Sequence, residues 1–263
     1  MFQLKAKLIF NKRIKDKYWH CAFLAPLIAK NGLPGQFVDI RVNDATEPLL
    51  RRPFSIHRVS GSGIGILYEV VGPGTEILSE RKSGEYLDVI GPLGNGFDLN
   101  GQRATGNGQT VLIAGGVGVA PLIFVAEKLS KLQTPNSKLI TLIGAKTKNQ
   151  ILCEKEFKDL GCSVKIATDD GSRGFRGYVS DLVKHLLSTM DYRLSTIYAC
   201  GPRPMLKEIS KISKQYKIEA QISLEEHMAC GIGACLGCAV NTKNGYQRVC
   251  KEGPVFKAEE VIW

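Results

Sequence analysis

Four cysteines near the C-terminal end limit this chain more than any other feature. The stretch reads Cys230-Gly-Ile-Gly-Ala-Cys235-Leu-Gly-Cys238, and eleven residues then separate Cys238 from Cys250. A short loop can present three thiolates to one side only if its backbone coils tightly. Gly231, Gly233 and Gly237 are expected to supply the positive-φ turns for that coil. No charged side chain occurs in residues 228–240, so the loop is apolar and its amide N–H groups can turn inward. Cysteines with this spacing and a distant fourth are the ligand pattern of a plant-type [2Fe–2S] cluster. Zinc, the alternative, prefers two Cys-x-x-Cys pairs or a Cys/His mixture, and only one such pair is present. A disulfide framework belongs to small secreted chains, whereas this one has 263 residues and no secretory leader is read at its start.

A chain of 263 residues has room for one large or two smaller domains with proper cores. The net charge of +10 raises the question of nucleic acid, but the lysines are scattered and no arginine-rich, aromatic-interleaved stripe occurs. No nucleic-acid partner is expected. Residues 1–13 alternate apolar side chains with Lys5, Lys7, Lys12 and Arg13, which is a strand pattern. The longest apolar run, residues 111–126, is broken by Gly115, Gly116, Gly118 and Pro121 and is shorter than the ~20 residues of a membrane span. No membrane association is expected. These features predict a cytoplasmic protein in which Cys21, Cys153, Cys162 and Cys200 are reduced thiols.

Period-two alternation in residues 3–10, 18–24, 36–41, 53–59, 65–71 and 85–90, punctuated by Asn31-Gly32, Gly61-Ser62-Gly63 and Gly91-Pro92, predicts a small antiparallel barrel. A helix is expected over residues 75–81, with Thr75 as N-cap after Gly72-Pro73-Gly74. Two pieces here have chemical potential. Arg52-Pro53-Phe54-Ser55 opens a strand, offering a guanidinium fork for a pyrophosphate, a ring for stacking and a hydroxyl. Gly74-Thr75 sits at a helix start, where free amides favour a phosphate. Taken singly, such an Arg is usually solvated and such a Phe is usually core.

From about residue 108 strands alternate with helices. Strands are expected at 109–114, 139–144, 163–167 and 195–200, and helices at 120–132, 154–160, 180–187 and 204–216. This order predicts a Rossmann-like parallel sheet covered on both faces, with ligands at the carboxyl ends of its strands. The first strand runs into Gly115-Gly116-Val117-Gly118-Val119-Ala120-Pro121, where a dinucleotide pyrophosphate can meet helix amides. Cys200-Gly201-Pro202 ends the fourth strand on the same edge, either facing a nicotinamide or simply burying a cysteine before a turn.

Arg-x-Phe-Ser, then Gly-Gly-x-Gly-x-Ala-Pro, then Cys-Gly-Pro, in this order, resembles the ferredoxin–NADP reductase superfamily. The stretch Leu224-Glu225-Glu226-His227-Met228-Ala229 leading into the cysteines closely resembles the electron-transfer subunits of NAD-dependent dihydroorotate dehydrogenases. The resemblance covers essentially the whole chain. It implies FAD on Arg52, Pro53, Phe54, Ser55, Leu67, Tyr68, Glu69, Gly74 and Thr75. It implies NAD on the loop from Gly115 through Gly116 and Gly118 to Pro121, with Cys200 and Gly201, and the cluster on Cys230, Cys235, Cys238 and Cys250. The organisation it implies is an FAD-binding barrel at 1–102, an NAD-binding α/β domain at 103–222 and a [2Fe–2S] subdomain at 223–263.

Hydride moves electrons in pairs and an iron–sulfur cluster moves them singly, so a flavin is the adapter such a chain requires. No base is poised for carbon-proton abstraction, since His20, His57, His185 and His227 read as isolated. Substrate oxidation is therefore expected on a separate subunit, and the resemblance implies an FMN-containing catalytic subunit that oxidises dihydroorotate to orotate in pyrimidine synthesis, in a heterotetramer of two of each. Met228, Ala229, Ile232 and Leu236 are either its docking face or the packing of the cluster loop. Three other readings stay open: a subunit of a bifurcating transhydrogenase or hydrogenase, a non-enzymatic iron–sulfur sensor, and a self-sufficient ferredoxin reductase. Lys146 and Lys148 leave NADP open beside NAD.

Overall fold

The structure is a computed structural model that describes residues 1–100, 109–131, 139–189 and 194–263. The first unit comprises β1 (Phe2–Lys15), β2 (Tyr18–Leu24), α1 (Pro26–Asn31), β3 (Phe37–Arg41), β4 (Arg52–Ser55), β5 (Arg58–Ser60), β6 (Gly63–Glu69), α2 (Pro73–Glu80) and β7 (Tyr86–Leu93). Its strands form one antiparallel sheet in the order β4-β3-β7-β1-β2-β6-β5. The two edge strands, β4 and β5, are consecutive in the chain and joined only by Ile56 and His57, so the sheet has to roll until its edges meet. The expected strand over 53–59 is for this reason two strands with a corner between them. Alternation along β1 puts Ala6 and Leu8 inside with Phe23, Ile40, Ile66 and Leu87, and leaves Lys5 and Lys7 in solvent. Gly91-Pro92, expected as a break, lies within β7, where Gly91 still pairs with Phe2.

The second unit continues with β8 (Gln109–Gly115), a single 3₁₀ turn (Gly116–Gly118), α3 (Val119–Ser130), β9 (Leu139–Ala145), α4 (Glu154–Asp159), β10 (Ser163–Thr168), β11 (Phe175–Arg176), α5 (Val179–Thr189), β12 (Leu194–Cys200), α6 (Arg203–Tyr216) and β13 (Glu219–Ser223). These strands lie parallel in the order β11-β10-β9-β8-β12-β13. Successive side chains of β8 serve opposite faces: Val111 and Ile113 pack with Leu182 and Ile209, and Leu112 and Ala114 pack with Leu122 and Ile123. Strand order reverses between β8 and β12, which opens the ligand crevice of such sheets. Leu132, the expected end of α3, and the 102/103 boundary lie outside the described residues.

The C-terminal segment adds the hairpin β14 (Ala239–Thr242) and β15 (Gly245–Arg248), turning at Asn244-Gly245, and then β16 (Val255–Lys257). β16 was not anticipated. It pairs antiparallel with β13, extending the nucleotide sheet by one strand. The segment after residue 222 thus leaves the sheet, forms the cysteine loop and hairpin, and returns to the same sheet. Asn95 of the first unit holds it from the other side, donating its amide to the Gly253 carbonyl. Among the described residues no helix is long and apolar enough to cross a membrane.

Candidate cofactor sites

A cavity of about 530 Å³ runs between the rolled sheet, the start of α3 and the segment after β13. Arg52, Pro53, Phe54 and Ser55 of β4 line it, with Leu67, Tyr68 and Glu69 of β6 and Thr75 of α2. Every residue the sequence pointed to for a flavin except Gly74 borders this space. Tyr68 is buried and donates from its hydroxyl to Asn11 Oδ1 at 3.0 Å, and the Phe54 ring packs against it at 5.6 Å between centroids. Glu69 is paired with Lys17.

Gly74 explains its own place. A Cβ there would overlap the Arg52 guanidinium, so the bare helix start lets that cation rest on the backbone at Gly74, while the Thr75 and Glu76 amides donate to the Gly72 carbonyl. The helix begins earlier than expected, with Gly72 as N-cap. Thr75 is its third residue, and its hydroxyl accepts from the amides of Val71 and Gly72 at 2.9 and 3.2 Å. The cradle of arginine fork and bare glycine backbone fits a pyrophosphate. The flat space between β4, β6 and α3 fits a ring system.

The glycine loop and the Cys-Gly-Pro turn, 82 positions apart between Gly118 and Cys200, meet backbone to backbone. A Cβ on Gly118 would run into the Cys200 carbonyl, and one on Gly115 would come within 2.7 Å of Pro202. Gly116 has φ +55 and nothing within 4 Å, so it faces open space at the sheet edge. Val117, Ala120 and Pro121 line the same cavity from this side, bringing the glycine loop onto the space beside Arg52–Ser55. Cys200 is buried, and burial pushes its thiol far above the ordinary range. The cavity wall beside it consists of Ser223, Leu224 and Glu225. Packing around Glu225, and then the Glu69 carboxylate, pushes the Glu225 carboxyl above its usual range. Sequence reading missed Ser223 as a wall residue because β13 was not recognised, although it ends at the carboxyl edge where ligands bind. Beside Lys146 the structure sets Asp169 and Asp170, whose amides bond to the carbonyls of Ala145 and Lys146. The Asp170 carboxylate there accepts from the amide and hydroxyl of Ser172.

The cavity rim continues through Glu226, His227 and Met228 directly into the cysteine loop. Gly231 and Gly233 have φ of +65 and +82, as expected, but Gly237 does not take a positive φ. The sulfurs gather in two pairs. Cys230 and Cys235 lie 3.4 Å apart at Sγ, and the Cys250 amide donates to Cys238 Sγ at 3.4 Å. Among the described residues no three His, Cys, Asp or Glu side chains converge on a single ion. Two pairs are what two irons need. Backbone donors aim at the sulfurs, Gly233 N–H to Cys250 Sγ at 3.1 Å and Cys235 N–H to Cys230 Sγ at 3.4 Å. Burial opposes ionisation of Cys230, but the amides of Cys235 and Ile232 bring its thiol down to about 6. Burial and the neighbouring Cys238 push Cys250 up to about 12, a crowding that a bound cation relieves. Arg248 braces the loop, donating to the Gly233 carbonyl at 2.6 Å and clasping Glu252 through Nε and Nη2. Beneath it lies Asp39 of β3, whose carboxylate a Cβ on Gly231 would overlap. Burial pushes Asp39 up to about 7 against the pull of Arg51. Asp39 pairs with Pro53 across β3 and β4, so the cysteine loop rests on the strand pair that carries Arg52–Ser55.

Fold and sites together define a ferredoxin-reductase-like, NAD-linked oxidoreductase with an iron–sulfur extension. Residues 225–262 match the family described as the iron-sulfur cluster binding domain of dihydroorotate dehydrogenase B, and residues 112–211 match the oxidoreductase NAD-binding domain. The chain is 41% identical to the dihydroorotate dehydrogenase B (NAD(+)) electron transfer subunit of Desulforamulus reducens, over 98% of this chain and 97% of that one. It is 40% identical to the corresponding subunit of Caldanaerobacter subterraneus subsp. tengcongensis, over 100% and 99%. The chain belongs to the family of dihydroorotate dehydrogenase B electron transfer subunits. Its cofactors are a [2Fe–2S] cluster, FAD and NAD. Among solved structures, an NADH-dependent reduced ferredoxin-NADP oxidoreductase described in work on flavin-based electron bifurcation superposes with a TM-score of 0.85. It is 28% identical, and the match covers 99% of this chain and 90% of that one.

Proposed function

We propose that this chain is the relay of a two-subunit dihydroorotate dehydrogenase, receiving electrons from an FMN-carrying catalytic subunit and delivering them to NAD⁺ in the cytoplasm. One observation carries the reading: a single cavity is walled by the flavin strands, by the nucleotide loop and by the residues leading into the cysteine loop. A bound flavin exchanges electron pairs with nicotinamide and single electrons with an iron–sulfur cluster. The chain's own residues supply position. Arg52, Gly74 and Thr75 hold the pyrophosphate, while Phe54 and Tyr68 bound the ring. Gly116 leaves open space for the NAD pyrophosphate beside the backbone, while Gly115 and Gly118 let the turn of buried Cys200 and Gly201 pack directly beneath it. Cys230, Cys235, Cys238 and Cys250 hold the two irons, the first three from a loop without charged side chains.

Docking of the catalytic subunit falls on the cysteine loop, in an assembly of two copies of each chain. Ile232 is 44% exposed and Leu236 72%, which favours a docking role over packing, whereas Met228 packs partly against the core. Ile232→Glu is expected to leave folding and cofactor content unchanged and to weaken partner binding at least ten-fold by titration. To test the division of labour, the chain is purified anaerobically, its flavin and iron are counted, and dihydroorotate oxidation by NAD⁺ is assayed with and without the partner. Turnover without the partner overturns the reading. The full-length likeness to the NADH-dependent ferredoxin-NADP oxidoreductase supports a second reading, a subunit of a bifurcating enzyme. Co-purification with a multi-cluster protein in place of an FMN protein decides for it.

A further inference from the structure

The corner between β4 and β5 carries His57, two residues beyond the flavin-strand residue Ser55. The expectation of isolated histidines fails here. His57 is 3% exposed, its ring stands edge-on to His20 at 5.3 Å, and its Nδ1 lies 2.9 Å from the carbonyl oxygen of Ala120. A carbonyl only accepts, so Nδ1 carries the proton and donates. Burial, opposed by the Ala120 carbonyl and reinforced by His20 and Arg58, takes the imidazole down to about 3 and keeps it neutral. Its own backbone amide bonds to Gly65 of β6 at 2.9 Å, so the ring projects from a fixed base.

Ala120 belongs to the first turn of α3, directly after the glycine loop, and lines the flavin cavity. Ala120, Phe124 and Glu127 share one face of that helix. All three meet the rolled sheet: Phe124 is buried in its core, and Glu127 pairs with Arg58 at 2.6 Å. The helix is pinned along two turns, and the pin nearest the cofactors is His57.

We propose that His57 is a positioning residue that fixes the nicotinamide loop at hydride-transfer range from the flavin strand. It ties Ser55's corner to the first turn after Gly118, so a shift of that turn changes the gap that the hydride crosses. Misplacement of about 1 Å in such a gap costs on the order of 10²-fold in rate. The inference rests on the flavin and NAD sites proposed above and adds a residue that neither site contains.

The test compares His57→Leu, His57→Asn and His57→Gln. Asparagine places an amide nitrogen close to Nδ1 and keeps the donor, whereas glutamine places it near Nε2 and leucine removes it. Flavin reduction by saturating NADH is followed by stopped flow, with the deuteride isotope effect, the NADH KM and flavin content measured alongside. Leucine and glutamine are expected to slow the limiting rate ten-fold or more at unchanged flavin content, and asparagine to recover it to within three-fold. Glu127→Gln, at the far pin, is expected to stay within two-fold of the unaltered chain. Equal rates for asparagine and glutamine, or a slowing by Glu127→Gln as large as that by leucine, overturn the proposal. A structural arm uses the apo chain. Amide hydrogen exchange across residues 114–124 is expected to rise in His57→Leu, or in His57→Gln if leucine does not fold, and not in His57→Asn. Unchanged exchange overturns the strut even where flavin binding itself fails, and absence of flavin from the unaltered chain counts against the cavity reading alone.

Discussion

The flavin cavity and the cysteine loop solve opposite problems. The cavity is assembled by side chains from distant elements, from Arg52 in β4 to Glu225 after β13, each held by regular secondary structure. The loop does its work largely with backbone, within residues 230–250, and without a helix or strand at its first three cysteines. A large flat ligand needs walls, which only folded layers provide. A compact cluster needs amides pointing inward, which only irregular backbone provides.

The sharpest break between the two regions is Cys238→Ser. Iron and its visible absorption are expected to be lost entirely while flavin stays bound, as metal analysis and cofactor extraction show. NADH-driven dye reduction persists and partner-driven turnover stops. Loss of flavin together with iron would mean that the two sites fold as one. Next in size, Arg52→Ala removes a charged donor from the pyrophosphate cradle. Flavin affinity is expected to fall by about 2–3 kcal/mol, roughly 30- to 150-fold in Kd, with iron content unchanged. Within the loop, Gly231→Ala meets both a positive φ and the Asp39 carboxylate. A cost of about 1–2 kcal/mol from backbone strain alone is expected, with reduced iron retention on chelator challenge. Gly237→Ala, whose added methyl meets only Cys235 Sγ at an ordinary contact distance of 3.7 Å, is expected to stay within about 0.5 kcal/mol in denaturant melts.

The remaining effect is one of pH, and it belongs to the cavity side. His57 is held to about 3 by burial, so the unfolded chain takes up a proton that the folded chain refuses. Stability is fully present above the unfolded histidine pKa of ~6.5 and falls as pH drops toward 3, by about 1.4 kcal/mol per unit at most. Urea melts at pH 7 and 5.5 check this, and His57→Asn is expected to flatten the slope. His20 and Arg58 face the same ring, so both stay unaltered in that comparison.

What was legible in the sequence follows the same division. The four cysteines stood out by spacing because all of them lie within one local stretch. The flavin segment at Arg52–Ser55 and the turn at Cys200 were weak signals singly, and became specific only through their joint order. The rolled sheet was visible in period-two alternation, but its corner at Ile56 and His57 was not, since closure is a property of strand order. β13 and β16 escaped because short strands beside a helix end carry little periodicity, and Ser223 escaped with them. Arg248, which grips the Gly233 carbonyl and Glu252, had no local pattern to give it away.

β16 has one further consequence. Because it is sewn into the nucleotide sheet beside β13, the iron-bearing end has no tether on which to swing. Iron–sulfur modules on flexible arms ferry charge by travelling between donor and acceptor. Here the carrier is anchored masonry, so the donor's cofactor has to be held against it by docking, and turnover should not respond to the viscosity that slows a swinging arm.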